Sequence, residues 1–186
     1  RNTAIAAALS LVPIGQLLIT GTGAALTTGV ILSVSQKVQA ESAEFYKKQG
    51  VVKGKSKDYS GAIADLNKAI AINPNYAEAF YYRGIATHAL GDNAGAISDY
   101  NKAIEIDPDF ENAYLNRGSL RYALENYSGA ISDYTKAIEI NPKDEKLYYY
   151  RGIATHALGD NAGAISDYSK AIKINPKFEN AYFNRA

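Results

Sequence analysis

The chain has 186 residues with 20 basic and 19 acidic side chains, a net charge of +1 that offers no broad field to draw in nucleic acid. Cysteine is absent, which excludes a disulfide frame, a thiol nucleophile and thiolate metal ligation. Charge is unevenly spread: Asn2–Gln36 carries none, and the residues from Lys37 onward carry all of it but Arg1.

The uncharged stretch exceeds the roughly 20 residues that cross a bilayer as a helix. Pro13, Gly15 and Gln16 interrupt it, because proline removes a backbone donor and clashes with the preceding turn. The expected elements are a short apolar lead over Thr3–Val12 and one transmembrane helix over about Leu17–Ser35. Gly21, Ala25, Gly29 and Ser33 recur every fourth residue, a stripe of small side chains on which a second membrane helix would pack. A secretory signal competes with this reading: Arg1 is its basic end, and Val38-Gln39-Ala40 before Glu41 resembles a cleavage site. The stretch is longer than the about 7–15 apolar residues of a signal, which favours a retained anchor. Lys37, Lys47, Lys48 and Lys53 after the span would keep the C-terminal repeats cytoplasmic, whereas the signal-like start favours export. A lumenal or periplasmic array at a thylakoid or plasma membrane is the expectation. Methionine is absent, so a start before Arg1 is expected too.

Residues 41–186 read as a separate unit built on a repeat. Pro74, Pro108, Pro142 and Pro176 stand 34 residues apart, the period of a helix–turn–helix array. The units run Ala43–Tyr76, Ala77–Phe110, Glu111–Asp144 and Glu145–Phe178, with a partial fifth from Glu179. In the second unit Phe80, Gly84 and Thr87 share one helical face and Leu90-Gly91-Asp92 closes that helix. Ala96, Tyr100, Ala103 and Ile104 form the face of the next helix. Asn73, Asp107, Asn141 and Asn175 precede the prolines and end each second helix, since a residue before proline is pushed out of the α region. Tyr81–Tyr100 recurs letter for letter at Tyr149–Tyr168, so the visible unit of duplication is a pair of repeats. No polar capping helix comes after Ala186, so either more chain or a partner is expected there.

Glycine at the eighth position (Gly50, Gly84, Gly118, Gly152) and alanine at the twentieth (Ala62, Ala96, Ala130, Ala164) recur in all four units. So do alanine at the twenty-seventh (Ala69, Ala103, Ala137, Ala171) and an aromatic at the fourth (Tyr46, Phe80, Tyr114, Tyr148). Together with the prolines, this pattern resembles the tetratricopeptide repeat (TPR), and its wording is most similar to cyanobacterial members. The resemblance implies an all-α, right-handed α-solenoid of helix–turn–helix units, here preceded by one transmembrane helix. Stability would be shared between neighbouring units rather than held by each alone.

The resemblance also implies a concave groove lined from the first helix of each unit. Carried over, its residues are Glu78, Tyr81, Ile85 and His88; Asn112, Leu115, Ser119 and Tyr122; and Lys146, Tyr149, Ile153 and His156. The first unit supplies Glu44, Lys47, Val51 and Gly54. Of the family clamp that holds chaperone tails, Lys47 fits one position, but Val51 and Tyr82 stand where asparagines belong. The groove is instead aromatic and aliphatic with amide spots, suited to an apolar polypeptide segment.

Arg83, Arg117, Arg151 and Arg185 recur at the seventh position, and Asp65, Asp99, Asp133 and Asp167 at the twenty-third. The arginines could be anion hooks; equal register favours a ladder of Arg–Asp pairs tying helices together. His88 and His156 lie two repeats apart, on the order of 20 Å for helices stacked at about 8–10 Å, too far for one metal. Asp107 and Asp109 flank Pro108 without the order of a calcium loop, and no nucleophile motif or phosphate loop is present. No cofactor, metal or catalysis is expected. The expected function is a membrane-anchored, non-catalytic scaffold that holds a protein partner, with a soluble exported adaptor or a carbohydrate- or lipid-binding module as alternatives.

Overall fold

The computed structural model describes residues 28–185, with side chains from residue 36 onward. It is an all-α array: α1 (Thr28–Lys55), α2 (Tyr59–Ile72), α3 (Ala77–Ala89), α4 (Asn93–Ile106), α5 (Glu111–Ala123), α6 (Tyr127–Ile140), α7 (Glu145–Ala157), α8 (Asn161–Ile174) and α9 (Glu179–Arg185). Each helix packs on the next in sequence, the pattern of an α-solenoid.

Local chemistry sets each boundary. Asp58, Asp92, Asn126 and Asp160 cap α2, α4, α6 and α8 by accepting a hydrogen bond from the backbone N–H of the glycine three residues on. Asn73, Asp107, Asn141 and Asn175 end those helices with φ between −126° and −128°. Their side-chain oxygens accept from the backbone N–H two residues later, which carries the chain around each proline. Asp107 and Asp109 are joined in this turn. The tighter turn inside each pair needs a left-handed residue, supplied by Gly91 (φ 87°) and Gly159 (φ 85°) but by Lys57 (φ 66°) and Glu125 (φ 61°) in the first and third units.

Helix spacing depends on the small residues. A Cβ at Gly84, Gly118 or Gly152 would stand 2.7–2.9 Å from the rings of Tyr100, Tyr134 and Tyr168. Those tyrosines are buried, and the rings of Tyr100 and Tyr134 reach the inner face of the array. Ala62, Ala69, Ala96, Ala103, Ala130, Ala137, Ala164 and Ala171 are all at most 2 % exposed, so backbones meet closely along the whole stack.

The apolar span expected over 17–35 lies mostly outside the described residues, as do Gly21 and Ala25 of its small-residue stripe; Gly29 and Ser33 fall in the first turns of α1. The α1 helix passes Lys37 without a break and continues into the first repeat. Among the described residues no helix is long and apolar enough to cross a membrane. The faces that Ala79 and Ala86 bury on α3 are open on α1, where Phe45 and Val52 are 56 % and 62 % exposed.

Candidate functional site: a trough along the inner helices

Three clefts run in series along α1, α3, α5 and α7. The first, about 260 Å³, lies between α1 and α3 and is lined by Gly50, Val51, Gly54, Tyr59, Tyr82 and Ile85, among others. A second of about 270 Å³ is framed by Ile85, His88, Tyr100, Asn116, Ser119 and Leu120. The third, about 190 Å³, is enclosed by Ser119, Tyr122, Tyr134, Tyr150 and Ile153. Ile85 belongs to the first and second, Ser119 to the second and third, so the clefts form one continuous trough. Burial pushes the Tyr100 hydroxyl up in pKa and that of Tyr134 up to about 12, against the pull of the hydrogen bond Tyr134 donates to Ser119 (3.2 Å). Both floor residues are therefore neutral, polar-edged rings.

The expected groove residues divide into two groups. Val51, Gly54, Ile85, His88, Ser119, Tyr122 and Ile153 line the trough. His88 Nδ1 lies 2.9 Å from Asn93 Oδ1, and His156, exposed at the equivalent place, lies 2.8 Å from Asn161 Oδ1. Tyr81 and Tyr149 do not line it. The Tyr81 ring sits 5.1 Å from Tyr82, 6.1 Å from Tyr100 and 4.9 Å from Phe110, and its hydroxyl accepts from Asn116 (3.1 Å). Tyr149 repeats this with Tyr150, Tyr168 and Phe178, and accepts from Asn184 (3.2 Å). These two tyrosines wedge one unit onto the next. Leu115, at the same position in the third unit, is half-buried against the core clusters that contain Tyr134 and Tyr148, and Asn112 is exposed outside the clefts.

Tyr82, Tyr150, Asn116, Tyr59 and the floor rings Tyr100 and Tyr134 are lining residues that sequence reasoning did not select. The sixth position (Tyr82, Asn116, Tyr150) carried a usable signal, since it lies one helical turn before the lining pair at positions nine and twelve. Lys47, the one residue matching a chaperone-tail clamp, is tied up by Glu44 (3.1 Å) and Glu78 (2.8 Å). Burial depresses its pKa, but the bonds to Glu78 and Glu44 outweigh that and raise it, so it stays charged and paired.

The arginine and aspartate rows are paired in three units, while Arg185 reaches Ser169 (3.4 Å). Arg83, Arg117 and Arg151 each grip the aspartate sixteen residues later through Nε and Nη2, at 2.6–3.1 Å. Their free Nη1 reaches back to Asn67, Asn101 and Thr135 on the preceding unit. One guanidinium thus clips three helices, and the row is spent on the stack rather than on an anion. The first unit has no such arginine; Lys53 (2.6 Å) and Lys68 (3.0 Å) hold Asp65 instead, chiefly Lys53 lowering its pKa.

The repeat architecture has known counterparts. A crystal structure of MamA is 28% identical, with a TM-score of 0.72 over 78% of this chain and 79% of that one. A second MamA crystal structure is 29% identical, with a TM-score of 0.69 over 73% and 80%. The first TPR of Spaghetti, bound to the HSP90 peptide SRMEEVD, is 27% identical, with a TM-score of 0.62 over 64% of this chain and 95% of that domain. Comparison with curated proteins finds no match. The family model described as TPR repeat matches residues 55–91, 86–124, 118–159 and 154–186, four overlapping windows that span the helix pairs from the end of α1 to α9. With most of its length so matched and its helices stacked in that manner, the chain belongs to the tetratricopeptide repeat family.

Proposed function

We propose that this protein is a non-catalytic scaffold whose trough holds a polypeptide segment of a partner, with residues 1–40 anchoring it beside a membrane complex that it helps to assemble or to dock. TPR proteins mediate protein–protein interaction, and the Spaghetti domain is bound to a peptide. The observation that carries the reading is the continuity of the three clefts, which offer aromatic, aliphatic and amide groups along four successive inner helices. A clamp for a chaperone tail is not proposed, because Val51 and Tyr82 fill the expected asparagine positions and Lys47 is already paired.

His88, Tyr122 and Ile153 reach the trough, and because Tyr122 and Ile153 also pack on core clusters, their joint replacement by alanine tests the site once its helicity is shown to be native. A polypeptide co-purified by the native chain should be lost by this variant and kept by one altered at Leu90 and Leu124, which are exposed away from the clefts. Equal loss in both variants, or retention in both, defeats the trough as the site. A bound small molecule in place of a polypeptide would favour the carbohydrate- or lipid-binding alternative.

Retention of the anchor rests on the uncharged stretch being longer than the about 7–15 apolar residues of a signal; the signal-like junction Val38, Gln39, Ala40 and Glu41 lies inside α1. Alkaline carbonate extraction of membranes separates the readings. An intact chain left in the pellet supports the anchor, on the lumenal or periplasmic side as we propose; release into the supernatant favours the exported adaptor.

A further inference from the structure

The first cleft of the trough differs from the third in a way that points to its occupant. Between α5 and α7, Tyr122 and Tyr134 project into the space, and the Tyr122 ring meets Tyr127 with centroids 5.3 Å apart. Between α1 and α3 the same three positions hold Gly54, Leu66 and Tyr59. Leu66 is fully buried over Gly50 and leaves the cleft unfilled, and Gly54 contributes no side chain. Tyr59 therefore borders open space where its counterpart Tyr127 has a second ring. That space measures about 260 Å³ and its other walls are Val51, Tyr82, Ile85 and Ala86. An apolar cavity of about 150 Å³ already accepts benzene, so a phenyl or indole group has room. One cation stands at the rim: Lys55, which replaces Ala123 of the third unit, lines the cleft and makes no ion pair among the described residues.

We propose that this cleft is an anchor socket, taking one aromatic side chain of the bound polypeptide against Tyr59, as Tyr122 lies against Tyr127, while a carboxylate adjoining that residue meets Lys55. The inference deepens the trough reading and rests on it for the polypeptide. Its physical basis is that the chain's own third unit supplies, from within, the ring that the first unit lacks. An aromatic guest recovers that contact and the burial that goes with it.

The protein contains no tryptophan, so indole emission reports a tryptophan probe alone. N-acetyltryptophan added to the native chain should show a saturable rise in anisotropy and a blue shift, and should move the backbone amide resonances of Gly54 and Tyr59. Gly54→Tyr should abolish both signals. A Cβ at Gly54 meets only Ala62 Cβ, at 3.9 Å, so the variant should keep its helicity and melting temperature. Lys55→Gln should weaken N-acetyltryptophan by about two- to fivefold, the worth of an exposed ion pair, and leave N-acetyltryptophanamide unchanged. Absence of saturable binding, binding that survives Gly54→Tyr, or amide shifts confined to other residues would overturn the socket. Any of these results, together with partner loss in the His88/Tyr122/Ile153 variant, would overturn the socket and leave the trough reading standing.

Discussion

Glu125 and Lys57 hold a left-handed backbone that an L side chain adopts at a cost of about 1–2 kcal/mol, at a turn where the other two units use glycine. Glu125→Gly should therefore stabilise the array by about 0.5–1 kcal/mol, the strain relieved less the added freedom of the unfolded chain. Gly91→Ala, with φ at 87°, should destabilise it. Urea unfolding monitored by helicity reads both signs, and a loss of stability in Glu125→Gly would contradict the assignment. The guanidinium clips give a second residue-level expectation. Arg151→Ala leaves Asp167, 8 % exposed, without the pair that satisfied it, at a cost of about 2–3 kcal/mol, below the range for wholly buried pairs because the arginine is partly solvated. Arg117→Ala should cost less, since Arg121 Nη1 still reaches Asp133 at 2.9 Å. Removing both Arg117 and Arg121 should then cost more than the two single losses added, a coupling that a double-mutant cycle measures. Strict additivity would show that Arg121 does no more than sit nearby.

At the scale of the helices, contact distance decides which glycines are needed. Gly84→Ala would put a Cβ 2.8 Å from the Tyr100 ring and 3.2 Å from Asp99 Cβ, forcing α3 and α4 apart for about 1–3 kcal/mol. Gly54→Ala meets nothing closer than 3.9 Å and should be neutral or stabilising by up to about 1 kcal/mol, because alanine favours the helix. Comparing the two melting temperatures checks the packing argument with one and the same substitution. The helix pattern was legible in the sequence for a local reason: each Asn-Pro or Asp-Pro pair stops its helix through its own dihedral angles, and each small residue marks a close approach. The Arg and Asp rows were legible because both recur in register. The direction of Tyr81 was not, since it depends on Phe110 and Asn116, which stacking alone brings to it. The step in charge at Lys37 likewise marks composition and not backbone; residues 33–40 contain neither proline nor glycine, and α1 runs straight through them.

Across the whole molecule, each unit depends on rings lodged between helices, and this makes the array sensitive to alkali. Burial pushes the hydroxyls of Tyr81, Tyr100, Tyr134 and Tyr168 upward in pKa, that of Tyr134 to about 12, and burial with the bond to Glu44 takes Tyr76 to about 12 as well. A folded pKa above the unfolded value near 10 favours the neutral form in the native state. The stability it represents is complete below about pH 10 and is lost as pH rises toward about 12. With no tryptophan and no cysteine to overlap, tyrosinate absorbance isolates this titration. The tyrosines that burial holds neutral should ionise together with loss of helicity. Tyr100→Phe combined with Tyr134→Phe should move the alkaline midpoint upward, although at neutral pH the lost bond to Ser119 costs about 1 kcal/mol. Because the two rings lie in neighbouring units and floor adjacent clefts, the effect should spread along the stack rather than stay in one repeat. An unchanged midpoint in the double variant would assign alkaline unfolding to groups outside the trough floor.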